Sequence, residues 1–312
     1  MTVILKTTHN TTAGFFSNCS MRLDQIKKFF KEKNELPQAI DSSAQFRNYK
    51  ENIDDLDEDL AKYFFEEKLV DENTGNAASS SSHQLKYKDV NFKGVSSFSP
   101  NYQLKYKDIN FRGDSRFTPN YQYLKYKDIG FRGISPFVKL YFSPSLRIIN
   151  TIETLENKYS IDYDNTCSVY YRGNDKDSET GLAEYEEFFN KATEVLQQHP
   201  NIKFLIQTDE LEFAEAFEQR FSNSFWFDEL SMINHDPNSS VHHSLPRNER
   251  KEHASWFLAA IIVMSKTKHL ITYSGNCGLW AVLYRGNSEN VYQYLKIKSF
   301  KTKKIIANFG WT

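Results

Sequence analysis

Cysteine is scarce in this chain: Cys19, Cys167 and Cys277 are odd in number and far apart. That excludes a disulfide framework and the paired spacing of a structural zinc site, and it makes a reducing compartment the default. Glycine (12) and proline (8) are few beside 25 Phe and 18 Tyr. Such a balance excludes a low-complexity chain and favours packed cores. Excess charge is missing too. The formal net charge is −1, so there is no global electrostatic reason to expect nucleic acid or a membrane surface as partner. The longest apolar run, Trp256–Met264, has nine residues, about half of the ~20 that span a bilayer. Met1–Thr12 carries no signal-peptide core. These absences predict a protein without a transmembrane segment and located in the cytoplasm. With 312 residues the chain has room for two domains with a core each.

What is present begins with a strand over Thr2–Thr7 and a turn bearing Gly14, Phe15, Phe16 and Asn18, then an amphipathic helix from Ser20 to about Lys33. Strand, glycine turn and helix in that order often open a nucleotide- or sugar-binding domain, and the turn is expected on the acceptor side of a site. Leu36–Ile40 reads as a second strand. Leu56, Leu60, Tyr63, Phe64 and Leu69 have helical spacing around the acidic stretch Asp54–Asp59, whose carboxylates are expected on a solvated helix face. Residues 72–83, with four consecutive serines, read as a linker.

A tandem repeat follows. Leu85-Lys-Tyr-Lys-Asp89 recurs as Leu104–Asp108 and Leu124–Asp128, at steps of 19 and 20 residues, and each copy continues to an aromatic residue and a glycine. Near-identity of this degree points to tandem duplication of one native segment, an insertion at about 84–133. The third copy runs on into Ile134-Ser-Pro-Phe-Val-Lys-Leu-Tyr-Phe-Ser143, which reads as core sequence, so it is taken as the original. Lys and Tyr interleaved three times, with Arg112 and Arg132 in the last two copies, resemble a nucleic-acid stripe, but each copy also carries an Asp. No nucleic-acid partner is expected.

From Ser143-Pro144-Ser145, which caps a helix over Leu146–Tyr159, the chain alternates. Strands are expected at Thr166–Tyr171, Lys203–Gln207, Phe225–Phe227, His269–Tyr273 and Val291–Leu295. Helices are expected at Leu182–Gln198, Leu211–Phe221, Arg250–Ser265 and Asn276–Tyr284. That pattern predicts an α/β fold in which residues 143–312 form a Rossmann-like domain with a doubly wound, mostly parallel sheet, and residues 1–142 a separate α/β domain.

In such a sheet, ligands bind beyond the carboxyl ends of the strands. The first strand ends in Arg172, Asn174, Asp175 and Lys176, the second in Thr208 and Asp209, and the fourth in Ser274, Gly275 and Asn276 at the start of a helix. A guanidinium fork suits phosphate oxygens. Small residues at a helix N-terminus expose amides to a diphosphate. Of His242, His243 and His253, the last is best placed to reach the crevice; its plainer reading is a structural histidine on the helix face. Asp175-Lys-Asp177 overlaps the arginine motif, so no metal ligand is assigned and no catalytic base is identified.

Taken in order, Ser-Pro-Ser with its helix, Val169-Tyr-Tyr-Arg-Gly-Asn-Asp-Lys176, Phe204-Leu-Ile-Gln-Thr-Asp209 and Met264-Ser-Lys-Thr-Lys-His-Leu-Ile-Thr-Tyr-Ser-Gly-Asn276 resemble the fucosyltransferase-type GT-B glycosyltransferases. That group includes the α-1,6-fucosyltransferases and the protein O-fucosyltransferases. The resemblance covers about residues 143–287. It implies a GT-B-like fold of two Rossmann-like domains, and inverting, metal-independent transfer from a nucleotide-sugar donor to a glycan or glycoprotein acceptor, with no further cofactor. By the same resemblance Arg172 contacts the donor diphosphate and is needed for transfer, Asp175 and Lys176 complete its motif, and Thr208, Asp209 and Ser274 lie on the donor. Tyr170 stands where the family has a histidine that helps hold guanine, and Ala260 where it has an aspartate contacting the base. The family's donor is a GDP-sugar, and these two departures leave a UDP-sugar open. A non-catalytic carbohydrate- or protein-binding module of the same fold is the alternative.

Overall fold

In a computed structural model, the chain is described over residues 4–7, 13–66, 69–70, 77–78, 124–174, 182–232 and 244–295. Its centre is a five-stranded sheet of β3 (Thr166–Tyr170), β4 (Lys203–Gln207), β5 (Ser224–Trp226), β6 (His269–Tyr273) and β7 (Val291–Tyr294), in the order β7-β6-β3-β4-β5. Every pairing is parallel. β3 and β6 are buried along their whole length, which is why they read as continuous apolar or small-residue runs rather than as alternating ones.

Alternate side chains still go to opposite faces. Cys167, Val169, Phe204, Ile206, Ile271 and Tyr273 join one apolar cluster with α4 (Tyr185–Gln198) and α5 (Leu211–Arg220), through Phe188, Phe189, Phe213 and Phe217. Tyr170, Leu205 and Leu270 face the other cluster, with α3 (Leu146–Tyr159), α6 (Arg247–Lys266) and α7 (Asn276–Arg285). The chain runs outward from β3 to β5, then returns to lay β6 and β7 on β3's other side. The strand order therefore reverses between β3 and β6, and a crevice opens at their carboxyl ends.

The N-terminal half adds a βαβ unit. β1 (Ile4–Lys6) pairs in parallel with β2 (Ala39–Asp41) across α1 (Phe15–Lys33). α1 starts five residues earlier than its polar periodicity predicts, because Phe15 and Phe16 (3% and 2% exposed) anchor its first turn in the core. The helix expected around Leu56–Leu69 is reduced to Ala61–Phe64 and gives way to a bridge, Phe65–Glu66 against Ser143–Pro144. The backbone turns extended at Phe65 (φ −126°, ψ 143°), which pairs with Pro144 and is buried like Phe64. Nor do the nearby carboxylates line a solvated helix. Asp55 accepts from the Asp57 and Glu58 amides, and Asp59 from Ala61 N, as in Asx-type turns.

Copies one and two of the repeat, the linker apart from Ala77–Ala78, which pair antiparallel with Leu69–Val70, and Asp175, Lys176, His242 and His243 lie outside the described residues. The third copy is seated. Tyr126 is buried, and α2 (Phe131–Tyr141) buries Ile134, Phe137, Val138 and Tyr141. Aligned by the repeat, Asp114 stands in copy two where Ile134 stands, and Ser99 and Thr118 where Val138 stands. The third copy alone has apolar residues at both buried places. The core is not divided at 142/143. Trp280 contacts Phe16 (6.3 Å) and Phe142 (4.7 Å) in a cluster that runs through both halves.

Candidate functional site

Arg172 leaves the end of β3 and is set by Asp209 at the end of β4. Its Nε lies 3.4 Å from Asp209 Oδ2, while Gly173 N donates to Asp209 Oδ1 (3.0 Å) and Asn174 Nδ2 to Asp209 O (2.8 Å). A Cβ on Gly173 would run into the carboxyl of Glu210, which is 2% exposed and held by Tyr185 Oη at 2.8 Å. The turn thus needs glycine there. Thr208 Oγ1 accepts from Glu210 N (3.0 Å). Asp209 and Thr208 therefore shape the loop and aim the arginine. Asn174, fully buried, does the same and does not line the cleft.

At the end of β6 the chain turns through Gly275, whose φ of 136° and ψ of 176° only glycine adopts readily, into the N-terminus of α7. The N-cap residues, Gly275 here and Gly14 in α1, have no side chain to cap their helices, and neither first turn carries an acidic residue; in α1 the Tyr49 hydroxyl accepts from Phe15 N. The two ends are tied together. Asn276 Nδ2 donates to Ser17 Oγ (3.0 Å), Ser20 Oγ donates to Asn276 Oδ1 (2.7 Å), and Trp280 Nε1 donates to Ser20 Oγ (2.9 Å). Asn18 is spent on the turn itself, donating to the carbonyls of Ala13 (2.8 Å) and Gly14 (3.1 Å) and accepting from Phe46 N.

Behind Gly275 stands the third repeat copy. The hydroxyl of Tyr126 lies 3.0 Å from Gly275 O and 3.3 Å from Tyr273 O. Burial pushes its phenol up, so it stays a donor. Gln293 accepts from Tyr126 N (2.8 Å) and donates to Leu124 O (2.7 Å) and to Ser274 Oγ (3.0 Å). Ser274 Oγ in turn donates to Tyr294 O (2.9 Å). The hydroxyl of Ser274, expected to meet phosphate, is committed to this brace.

These elements converge on one cleft of about 1150 Å³, its open mouth included. Of the residues singled out in the sequence, Gly14, Phe15, Phe16, Tyr170, Arg172, Thr208, Asp209, His253, Ser274, Gly275 and Asn276 line it; Asn18 and Asn174 do not. Tyr49, Leu230, Ser231, Ala254 and Phe257 also line it and were missed. His253 and Phe257 are four apart on α6 and share a face, a signal the spacing carried; Tyr49 sits in a short 3₁₀ turn with no such signal. α6 buries Ala260 completely in the core, so that position does not stand at the cleft, contrary to the place the resemblance gives it. Burial lowers the pKa of His253 to about 4, leaving a neutral imidazole at neutral pH. Burial also pushes the Tyr170 phenol up.

Two helix N-termini and a guanidinium thus border one opening, an arrangement whose electrostatics suit an anion. Among the described residues no three His, Cys, Asp or Glu side chains come together to hold a metal ion, and no helix is long and apolar enough to cross a membrane. Compared with protein-family models and with curated proteins, the chain matches none.

Proposed function

We propose that the chain is a glycosyltransferase that moves a sugar from a nucleoside-diphosphate donor to a glycan or protein acceptor. In this reading the βαβ unit and the five-stranded sheet are the two facing halves of a GT-B-like arrangement, and the donor diphosphate lies between them. The observation that carries the reading is the pairing of Arg172 with the glycine-started N-termini of α1 and α7, which line one cleft where the strand order reverses. There the amides and the guanidinium face the charge that grows on the departing diphosphate. Asp209 holds Arg172 ready, so little reorganisation is needed during transfer.

A panel of GDP- and UDP-sugars with product mass as readout tests it. One donor class should give transfer or slow hydrolysis by the wild type. Arg172→Ala should lower that turnover by roughly 10²-fold or more while the thermal midpoint stays close to the wild type's. Unchanged turnover by Arg172→Ala sinks the role of Arg172; a panel without turnover or nucleotide binding sinks the transferase.

A further inference from the structure

Transfer to an acceptor hydroxyl with inversion calls for a group that takes the hydroxyl proton. Among the described residues, the titratable side chains on the cleft wall are Tyr49, Tyr170, Arg172, Asp209, His253 and Cys277. Tyr49 and Tyr170 are 4% and 6% exposed, and burial pushes both phenols up, so they keep their protons. Arg172 is a cation. The two carboxylate oxygens of Asp209 face Arg172 Nε and Gly173 N, where loss of the charge would cost the arginine its partner. The Cys277 thiol packs beside the Tyr170 hydroxyl. That leaves His253.

Its position suits the task. His253 stands in the first half of α6, one turn before Phe257, and lines the same cleft as the β3 and β6 ends. The two rings stack with centroids 6.3 Å apart at 29°, and Phe257 packs on Phe16 at 5.4 Å. The ring is therefore held by aromatic packing while the cleft lies in front of it. Resting on the glycosyltransferase reading above, we infer that His253 is the general base that activates the acceptor.

The acceptor hydroxyl gives its proton to the unprotonated imidazole nitrogen, and the electron pair of that oxygen forms the bond to the anomeric carbon. The bond from this carbon to the β-phosphate oxygen breaks, and its pair leaves on the nucleoside diphosphate. The imidazolium then returns the proton to solvent. The neutral state that burial imposes at pH 7 is the state this step uses. The charge of the bound diphosphate acts in the opposite direction and raises the basicity of the ring when the donor is in place.

The test uses the full chain with the donor identified from the panel. His253→Ala and His253→Gln should lower kcat by roughly 10²-fold or more, while the affinity for the free nucleoside diphosphate changes less than about threefold. The wild type should lose rate on the acid side as the imidazole protonates, a limb the variants should lack. Added imidazole should restore part of the rate of His253→Ala, which a merely structural histidine would not permit. A kcat within a few-fold of wild type in either variant, or a wild-type profile without the acid limb, overturns this inference and leaves the transferase standing. A wild type that binds no nucleoside diphosphate overturns both.

Discussion

On its C-terminal side the cleft is framed by strand ends whose places follow from the ladder. Val169 is registered between Ile206 and Ile271, so Arg172, Asp209 and Ser274 emerge next to one another. On its N-terminal side it is framed by the first turn of α1, where no ladder reaches. That turn is held by Asn276, Ser20 and Trp280 and by ring contacts of Phe15 with Phe46, Phe64 and Tyr49. The sheet side is thus built by backbone pairing over many residues, and the α1 side by a few side chains. Damage on the first side should spread through the whole domain; damage on the second should be local to the cleft.

The sharpest way to break that contrast is to remove the residue shared by both sides. Trp280→Ala should cost roughly 3–5 kcal/mol, as large-to-small changes in a core do, and loosen the diphosphate site as well; denaturant unfolding followed by tryptophan-independent circular dichroism measures the first effect. A loss below about 1 kcal/mol would mean that the halves do not share a core.

A pH titration isolates the sheet side. His269 at the start of β6 is 3% exposed and packs on His199 at 4.7 Å; burial first, then His199, lowers its pKa to about 4. A histidine that is harder to protonate folded than unfolded contributes stability that is full above its unfolded pKa near 6.5 and is lost as the pH falls towards 4. The thermal midpoint should drop over that window, and His269→Phe should flatten the drop. An equal drop in the variant would assign it elsewhere.

Tyr126→Phe is the mildest change. It keeps the buried ring and removes the hydroxyl behind Gly275, so about 1 kcal/mol of stability should go. Binding of a nucleoside diphosphate should weaken a few-fold, while binding of the bare nucleoside stays as it was. Equal weakening of both would mean that the brace does not act on the diphosphate loop.

How far these features were legible in the sequence follows the same division. β3, β4 and β6 could be placed within a residue because buried parallel strands leave unbroken apolar runs ending in Arg172, Thr208 and Ser274. The cleft-lining role of those ends followed from the alternation of strands and helices. The start of α1 was misread because Gly14 and the polar residues around it mimic a turn, whereas the deciding fact is that Phe15 and Phe16 find a core supplied by residues far along the chain. The helix around Leu56–Leu69 failed for a related reason: its spacing was right, but Phe65 and Glu66 are taken into a bridge with Ser143 and Pro144, residues far along the chain. Tyr126 illustrates the limit. The third Lys-Tyr-Lys-Asp copy stands out in sequence by running on into the apolar Ile134–Phe142, but nothing in the motif itself announces the seat of Tyr126 behind Gly275.

The central claim is that the α1 and α7 N-termini, with Arg172, hold a diphosphate. Calorimetry on the wild type, comparing guanosine with GDP and uridine with UDP, tests it most directly. For one of the two bases the diphosphate should bind at least about tenfold more tightly than its nucleoside, a difference of roughly 1.4 kcal/mol, and Arg172→Ala should erase most of that gain. Equal affinity of nucleoside and diphosphate for both bases would contradict the account.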